Sequence, residues 1–136
     1  GVIIAGIIYS LMKKSGIELD FTLAVNLSET GISEYDLCSI FGNILDNVCE
    51  ACSKLAAEDR KATLTVRNQM DILCIFCENK YKDINKDLST QKQDKKHHGL
   101  GLNSIKRIAE KYDGTLDINL ENETFKLSIL LNLNKN

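Results

Sequence analysis

The eleven residues Gly42-Asn43-Ile44-Leu45-Asp46-Asn47-Val48-Cys49-Glu50-Ala51-Cys52 place two asparagines one helical turn apart in an otherwise apolar segment. Asparagine is a poor helix former, so a polar stripe built on it indicates a polar partner. Aligned amide oxygens suit a hydrated hard cation that shares phosphate ligands. A solvated helix face is the alternative interpretation. At 100° per residue, the polar face carries Asn43, Asn47, Glu50 and Lys54, and the apolar face carries Ile40, Ile44, Val48 and Leu55.

A second segment, His98-Gly99-Leu100-Gly101-Leu102-Asn103, puts two glycines directly before a helical pattern. Glycine has no side chain, so backbone N–H groups can approach an anion closely at the N-terminus of this helix. Glycine before a helix can also serve as a plain turn. The order of the two segments, about 50 residues apart, makes the pair more specific than either segment alone.

Alternating and helical hydrophobic patterns predict the order of the elements. Antiparallel strands interrupted by helices predict an α+β fold, a two-layer sandwich whose mixed, mostly antiparallel sheet carries three helices on one face. A turn at Asn68-Gln69 joins two strands, Asp113-Gly114 ends the last helix, and Ser33 or Asp36 caps the long helix. The predicted helices cover residues 1–15, 34–57 and 102–112, and the strands residues 17–25, 62–67, 72–77, 116–120 and 125–133.

Composition limits the classes of protein that this chain can represent. Its 136 residues fit one domain over residues 1–136. A net charge of −2 gives no basic surplus, so no nucleic-acid partner is expected. The apolar run Val2 to Met12 is too short to span a bilayer and lacks the features of a signal peptide. Five cysteines without a secretion signal indicate a reducing, cytoplasmic location.

Two CxxC pairs, Cys49 with Cys52 and Cys74 with Cys77, leave a zinc-structured interaction domain as an alternative. The first pair lies within a predicted helix and the second within a predicted strand, where residues three apart point to opposite faces. Because zinc knuckles lie on turns, this geometry argues against a zinc site.

The two segments resemble the N box and the second glycine box of the GHKL ATPases, a group that includes gyrase and the histidine kinases. Two stretches of sequence are most similar to peptide-sensing histidine kinases of the accessory gene regulator C type. They are FGNILDNVCEAC at residues 41–52 and KHHGLGLNSIKRIAEKYDG at residues 96–114. The resemblance covers roughly residues 1–133. The first glycine box, DxGxG, is absent, and Cys77-Glu78-Asn79-Lys80-Tyr81 stands in its place.

This resemblance implies the GHKL ATPase fold and a site for ATP and Mg²⁺. Asn47 would hold the metal, directly or through water, and Asn43 would face the β- and γ-phosphates in a catalytic role. Asn79 would contact adenine, as an aspartate does elsewhere in the group. Residues 80–98, with six lysines between Lys80 and Lys96, would form a lid over the phosphates. The remaining expected ATP-binding residues are Glu50, Lys92, His98, Gly99, Leu100, Gly101 and Leu102.

The resemblance also implies the catalytic domain of a two-component sensor histidine kinase. Such a domain transfers the γ-phosphoryl group to a histidine on a separate dimerisation domain. From there the phosphoryl group passes to a response regulator. His97 and His98 border the second glycine box and are not expected to be the acceptor. The full-length protein would be a membrane-anchored homodimer in which this part does not span the membrane. A related serine kinase that binds sigma factors and a nucleotide-binding module without catalysis remain alternatives.

Overall fold

A computed structural model describes residues 2–82 and 101–133 of the chain. Three helices lie on one face of a five-stranded sheet, as the sequence predicted. In chain order the elements are α1 (Val2–Lys14), β1 (Glu18–Ala24), α2 (Glu34–Ser53), β2 (Lys61–Gln69), β3 (Ile72–Lys80), α3 (residues 101–111 in the described part), β4 (Thr115–Glu121) and β5 (Thr124–Asn132). Short 3₁₀ turns cover Leu27–Glu29 and Ala57–Asp59.

The sheet is mixed and mostly antiparallel, as predicted. Its strand order is β1-β2-β3-β5-β4. β1 and β2 are parallel, whereas the other three pairs of neighbours are antiparallel. A parallel pair needs a long crossover, and α2 lies in the connection between β1 and β2. The helix that carries the asparagine stripe is therefore placed across the sheet by the chain's topology.

The hydrophobic core lies between the helices and the facing side of the sheet. Alternate strand residues point into it because side chains change face at every position of a strand. Ile8 of α1 and Ile105 of α3 pack onto the same core. The apolar stripe of α2 is buried there, so the polar residues on the remainder of that helix face elsewhere. The most deeply buried residues of the sheet and of α2 are Leu64, Val66, Leu73, Ile75, Ile129, Leu131, Ile40, Ile44, Leu45 and Val48.

The predicted turn at Asn68-Gln69 is wrong. Both residues continue the ladder between β2 and β3, where Asn68 pairs with Leu73 and Gln69 with Ile72. The chain turns at Met70 and Asp71 instead, with Met70 at φ 56° and its side chain 90% exposed. The local turn preference of asparagine is overridden because extended pairing satisfies the backbone hydrogen-bonding groups of both strands.

The long helix is shorter than predicted at its C-terminal end. It ends at Ser53, and the backbone N–H of Lys54 donates to the carbonyls of Ala51 and Cys52. Arg60 Nε then donates to the carbonyl of Leu55 at 3.1 Å. At the other end, Ser33 is the cap, since its hydroxyl accepts from the N–H of Asp36. The polar stripe on α2 thus ends near Glu50.

The exit of α3 depends on glycine for space. Asp113, at φ 52°, takes the left-handed conformation. A β-carbon on Gly114 would lie 1.8 Å from the carbonyl oxygen of Leu130, which no side chain could tolerate. Gly114 therefore lets the chain pass directly against β5, and its N–H donates to the carbonyl of Ala109 at 2.7 Å. This close approach fixes the C-terminal end of α3 on the sheet.

Candidate functional site

The asparagine stripe of α2 is partly enclosed by the protein. Asn43 and Asn47 lie one turn apart, about 6 Å along the helix axis, and both are half-buried, as is Glu50. The amide nitrogen of Asn47 is closed off from solvent. A freely solvated helix face would leave such side chains exposed. The structure therefore does not support the alternative interpretation of two tolerated surface asparagines.

Asn43 has a defined orientation. Its amide nitrogen donates to the carbonyl of Ser39 at 2.8 Å and lies 3.5 Å from the Ser39 hydroxyl. With the nitrogen directed along α2, the side-chain oxygen Oδ1 is turned towards α3. This oxygen is a hydrogen-bond acceptor held in place before any ligand arrives.

Gly101, the first described residue of α3, packs directly on the side chain of Asn43. A β-carbon placed on Gly101 would lie 3.0 Å from Asn43 Oδ1, 3.5 Å from its Cγ and 3.7 Å from its Cβ. The two sequence segments that suggested a function are thus brought together at one place. Leu102, the next residue, is half-buried and packs on the hydrophobic core, so it holds the start of α3 on the protein.

Asn79 is a buried amide at the end of β3. It is 4% exposed, and its amide nitrogen donates to the carbonyl of Lys80 at 2.9 Å. It pairs with Ala62 and Phe125 in the neighbouring strands. By alternation it faces the same side of the sheet as Cys77, a core residue. A polar side chain in this position lies on the helix side of the sheet, where α2 also lies.

Several expected site residues cannot be placed. Lys92, His98, Gly99 and Leu100 lie outside the described residues, as does most of the predicted lid at 80–98. Of the ten expected ATP-binding residues, the structure therefore places Asn43, Asn47, Glu50, Asn79, Gly101 and Leu102.

A cluster that the sequence did not reveal joins α2 to the C-terminal end of α3. Asp36 is 5% exposed, and its Oδ2 accepts from Tyr112 Oη at 2.5 Å and from Lys111 Nζ at 2.9 Å. The Tyr112 oxygen in turn accepts from the N–H of Ser33 at 3.2 Å. Hydrogen bonds from Tyr112 and then Lys111 hold the pKa of the Asp36 carboxyl below its ordinary value. The same carboxylate raises the pKa of Lys111.

Only a weak signal for this cluster is present in the sequence. Asp36 lies in the first turn of α2, where an acidic residue is explained by capping and by the helix dipole. Its partners lie 75 and 76 residues further along the chain. No local spacing rule connects such positions.

In the part of the chain that the structure describes, the cysteines are not gathered as metal ligands. Among residues 2–82 and 101–133, no group of three or more His, Cys, Asp or Glu side chains could hold a metal ion. Burial raises the pKa of the Cys77 thiol to about 12 and raises that of Cys52 as well. Cys77 belongs to the core cluster, whereas Cys74 points to the other face of the sheet. The arrangement is that of small buried hydrophobic side chains.

The chain folds as an α+β sandwich. In it, the polar side chain of Asn43 on α2 lies against Gly101 at the described start of α3. The sequence profile of the GHKL domain matches residues 32–132, which is most of the chain. The chain therefore belongs to the GHKL domain family. No curated protein matches its sequence.

Solved structures agree with this assignment at the level of fold. The Acinetobacter baumannii histidine kinase AdeS matches with a TM-score of 0.67 and 12% identity, over 97% of this chain and 62% of that one. The catalytic domain of histidine kinase ThkA, in a nucleotide-free form, matches with a TM-score of 0.65 and 12% identity, over 95% of this chain and 88% of that one. This chain thus has the fold of these histidine kinases and spans 62% of the AdeS chain. Within the described residues, none of its helices is long and apolar enough to cross a membrane.

Proposed function

We propose that this chain is the ATP-binding catalytic domain of a sensor histidine kinase of the accessory gene regulator C type. It binds Mg-ATP and transfers the γ-phosphoryl group to a histidine on a separate dimerisation domain. The observation that carries the proposal is the packing of Gly101 on the oriented oxygen of Asn43, in a chain that belongs to the GHKL domain family. Each of the two segments alone has an ordinary structural explanation, whereas their contact supports the proposal of a single site.

The donor groups on α2 fit Mg²⁺. This ion takes oxygen ligands and keeps several waters when phosphates share it. Asn47, half-buried one turn after Asn43, would hold the ion directly or through water, with Glu50 on the same face. When bound, Mg²⁺ neutralises charge on the phosphates. Gly101 leaves room beside Asn43, and the N-terminal end of α3 favours an anion through its backbone N–H groups and dipole.

Asn43 and Asn79 would contact opposite ends of the nucleotide. Because the amide nitrogen of Asn43 is held by Ser39, its oxygen is turned towards the described start of α3 and would orient the β- and γ-phosphates or their waters. The amide nitrogen of Asn79 is likewise held, by the carbonyl of Lys80. Its oxygen can then accept from the amino group of adenine, which is a hydrogen-bond donor. Lys92, His98, Gly99 and Leu100 are proposed to contact the phosphates, and they lie outside the described residues.

The acceptor histidine and the later steps belong to other domains. In this proposal the full-length protein is a membrane-anchored homodimer whose catalytic domain lies in the cytoplasm. The phosphoryl group passes from the dimerisation domain to a response regulator. Phosphoryl transfer depends mainly on positioning and charge neutralisation, which is what the residues described above can supply.

Calorimetric titration of the 136-residue chain with a non-hydrolysable ATP analogue, with and without Mg²⁺, tests the proposal. We expect one nucleotide per chain and tighter binding with the metal. A folded chain that binds no nucleotide contradicts the proposal. Incubation with ATP and the dimerisation domain separates the alternatives. Binding without transfer to any histidine would indicate a nucleotide-binding module, and an acid-stable phosphate on a protein serine would indicate the serine kinase.

A further inference from the structure

Helices α2 and α3 run in opposite directions and touch at two separated places. Gly101, at the start of the described part of α3, packs on Asn43. Tyr112, directly after the other end of α3, bonds to Asp36, which precedes Asn43 by seven residues, or about 10 Å along the helix. One contact lies at the proposed nucleotide site, and the other lies about two turns of α2 away from it.

The second contact is directional and centres on a buried carboxylate, since Asp36 is buried whereas Tyr112 is half-buried and Lys111 is exposed. Asp36 accepts from Tyr112 Oη at 2.5 Å and from Lys111 Nζ at 2.9 Å, while the Tyr112 oxygen accepts from the N–H of Ser33 at 3.2 Å. The carbonyl of Tyr112 also accepts from the N–H of Asn132 in β5 at 3.0 Å. Hydrogen bonds to a carboxylate are short and strongly oriented. This cluster therefore ties one end of α3 to both α2 and the sheet.

The buried apolar side chains of α3 contribute contacts without direction. Ile105, Ile108 and Ala109 are buried in the core, and the hydrophobic effect that holds them does not depend on orientation. Such contacts keep α3 on the protein but resist sliding and rotation only through side-chain packing. The hydrogen bonds to Asp36 oppose both the sliding and the rotation of α3. Because interiors are close-packed, a shift at one end of a helix is transmitted to the other.

We propose that Asp36 and Tyr112 are positioning residues of the nucleotide site, acting through α3 to set the place of Gly101 against Asn43. This inference rests on the proposed function. A displacement of about 1 Å at a reacting group can cost about a hundredfold in rate. Neither residue touches the nucleotide in this proposal. Their effect reaches it through the spacing between the glycine-entered helix and the asparagine stripe.

The test compares Tyr112→Phe with a matched loss of stability elsewhere. Tyr112→Phe removes the hydroxyl and keeps the ring, and Ile8→Val shortens a core residue of α1. Both changes lower stability, and the melting temperature of each variant is measured before the affinities are compared. At a temperature where every variant is folded, we expect Tyr112→Phe to weaken binding of the Mg-ATP analogue about tenfold. Ile8→Val should bind within about twofold of the wild type.

Two further variants separate positioning from simple stability. Asp36→Asn keeps an oxygen acceptor for Tyr112 and should bind nucleotide nearly as the wild type does, whereas Asp36→Leu should match Tyr112→Phe. In a double-mutant cycle, Tyr112→Phe and Gly101→Ala should be less than multiplicative in affinity, because both disturb the same spacing.

The outcomes distinguish the two proposals. A wild-type chain that binds no nucleotide overturns the proposed function. A wild-type chain that binds, with equal affinity for Tyr112→Phe and Ile8→Val or with multiplicative effects in the cycle, overturns the positioning role alone. If Tyr112→Phe does not fold, the comparison of Asp36→Asn with Asp36→Leu decides in the same way.

Discussion

The side-chain oxygen of Asn43 lies 3.0 Å from the point where a β-carbon on Gly101 would be. This contact is tighter than ordinary van der Waals separation, so a methyl group at residue 101 would push the amide aside. In contrast, a β-carbon on Gly42, the residue before Asn43, would meet nothing within 4 Å. The two glycines therefore differ in what an alanine would do, although both lie in helices.

Gly101→Ala should weaken binding of the Mg-ATP analogue about tenfold, because the new methyl displaces the oriented amide of Asn43. Stability should fall little, because alanine is more favourable than glycine in a helix by about 1 kcal/mol. This gain offsets part of the strain of the contact with Asn43. Gly42→Ala is the matched control and should raise the melting temperature without changing affinity. Unchanged affinity in Gly101→Ala would show that this contact has no part in nucleotide binding.

Asn47→Ala should reduce the gain in nucleotide affinity that Mg²⁺ provides. The side chain is the proposed metal ligand, so binding in the absence of metal should change much less. Titrations with and without Mg²⁺ measure this difference directly. Asn119→Ala, on the exposed strand β4, is the control and should leave both affinities unchanged. An equal loss with and without metal would assign Asn47 a structural role instead.

The stability that Asp36 provides should depend on pH at the acid end. Its folded-state pKa lies below the ordinary value of 3.8 because Tyr112 and Lys111 donate to the carboxylate. A lowered pKa means that the contribution is fully present above pH 3.8 and is lost as the pH falls through the lower folded-state value.

Asp36→Asn should therefore lower the free energy of unfolding by about 1–3 kcal/mol at neutral pH and by progressively less in acid. Denaturant titrations at neutral pH and below about pH 3 would measure the two differences. Asp117→Asn, an exposed carboxylate on β4, provides the comparison. If the free energy of unfolding of Asp36→Asn stays below that of the wild type by the same amount at both pH values, the ionised carboxylate of Asp36 is not what stabilises the fold.

Sequence periodicity predicted the elements well where local pattern and tertiary packing agree. The alternation of Leu19, Phe21 and Leu23 predicted β1 because one face of that strand packs on the core. It failed at Asn68 and Gln69, where pairing with β3 outweighs the turn preference of asparagine. The predicted end of α3 at Asp113-Gly114 is confirmed, with Asp113 at φ 52°, but the pattern did not show that Gly114 also leaves space for the carbonyl of Leu130.

The candidate site was predictable only in part, for a physical reason. Asn43 and Asn47 lie on one helix, so helical spacing alone places them on one face. The contact of Asn43 with Gly101 spans 58 positions and followed from a resemblance rather than from spacing. The cluster of Asp36 with Tyr112 has neither a local spacing nor a motif. It becomes visible only when α3 is placed on α2.

Thiol labelling should distinguish the cysteines by burial. Burial raises the pKa of Cys77 to about 12, so it carries almost no reactive thiolate near neutral pH. Cys38 is exposed and should react first with a disulfide reagent in the folded protein, with Cys52 and Cys77 reacting only after unfolding. Cys38→Ser should remove the fast phase. Rapid labelling of Cys77 in the native chain would contradict its placement in the core.

Phosphoryl transfer should require a second domain. The chain holds two histidines, His97 and His98, beside the proposed phosphate loop, and the proposed acceptor is on the dimerisation domain. Incubated alone with labelled Mg-ATP, the chain should remain unlabelled, whereas an added dimerisation fragment from the same kinase should acquire an acid-labile phosphate.

Asn43→Ala should abolish most of this transfer even at saturating nucleotide, because its oriented oxygen is proposed to position the phosphates. Asn119→Ala, on the exposed strand β4, is the control and should transfer at the wild-type rate. The rate of transfer at saturating nucleotide separates the two effects, since a loss of affinity alone would disappear there. Full transfer by Asn43→Ala, or a phosphohistidine at His97 or His98 of the chain alone, would contradict the assigned roles.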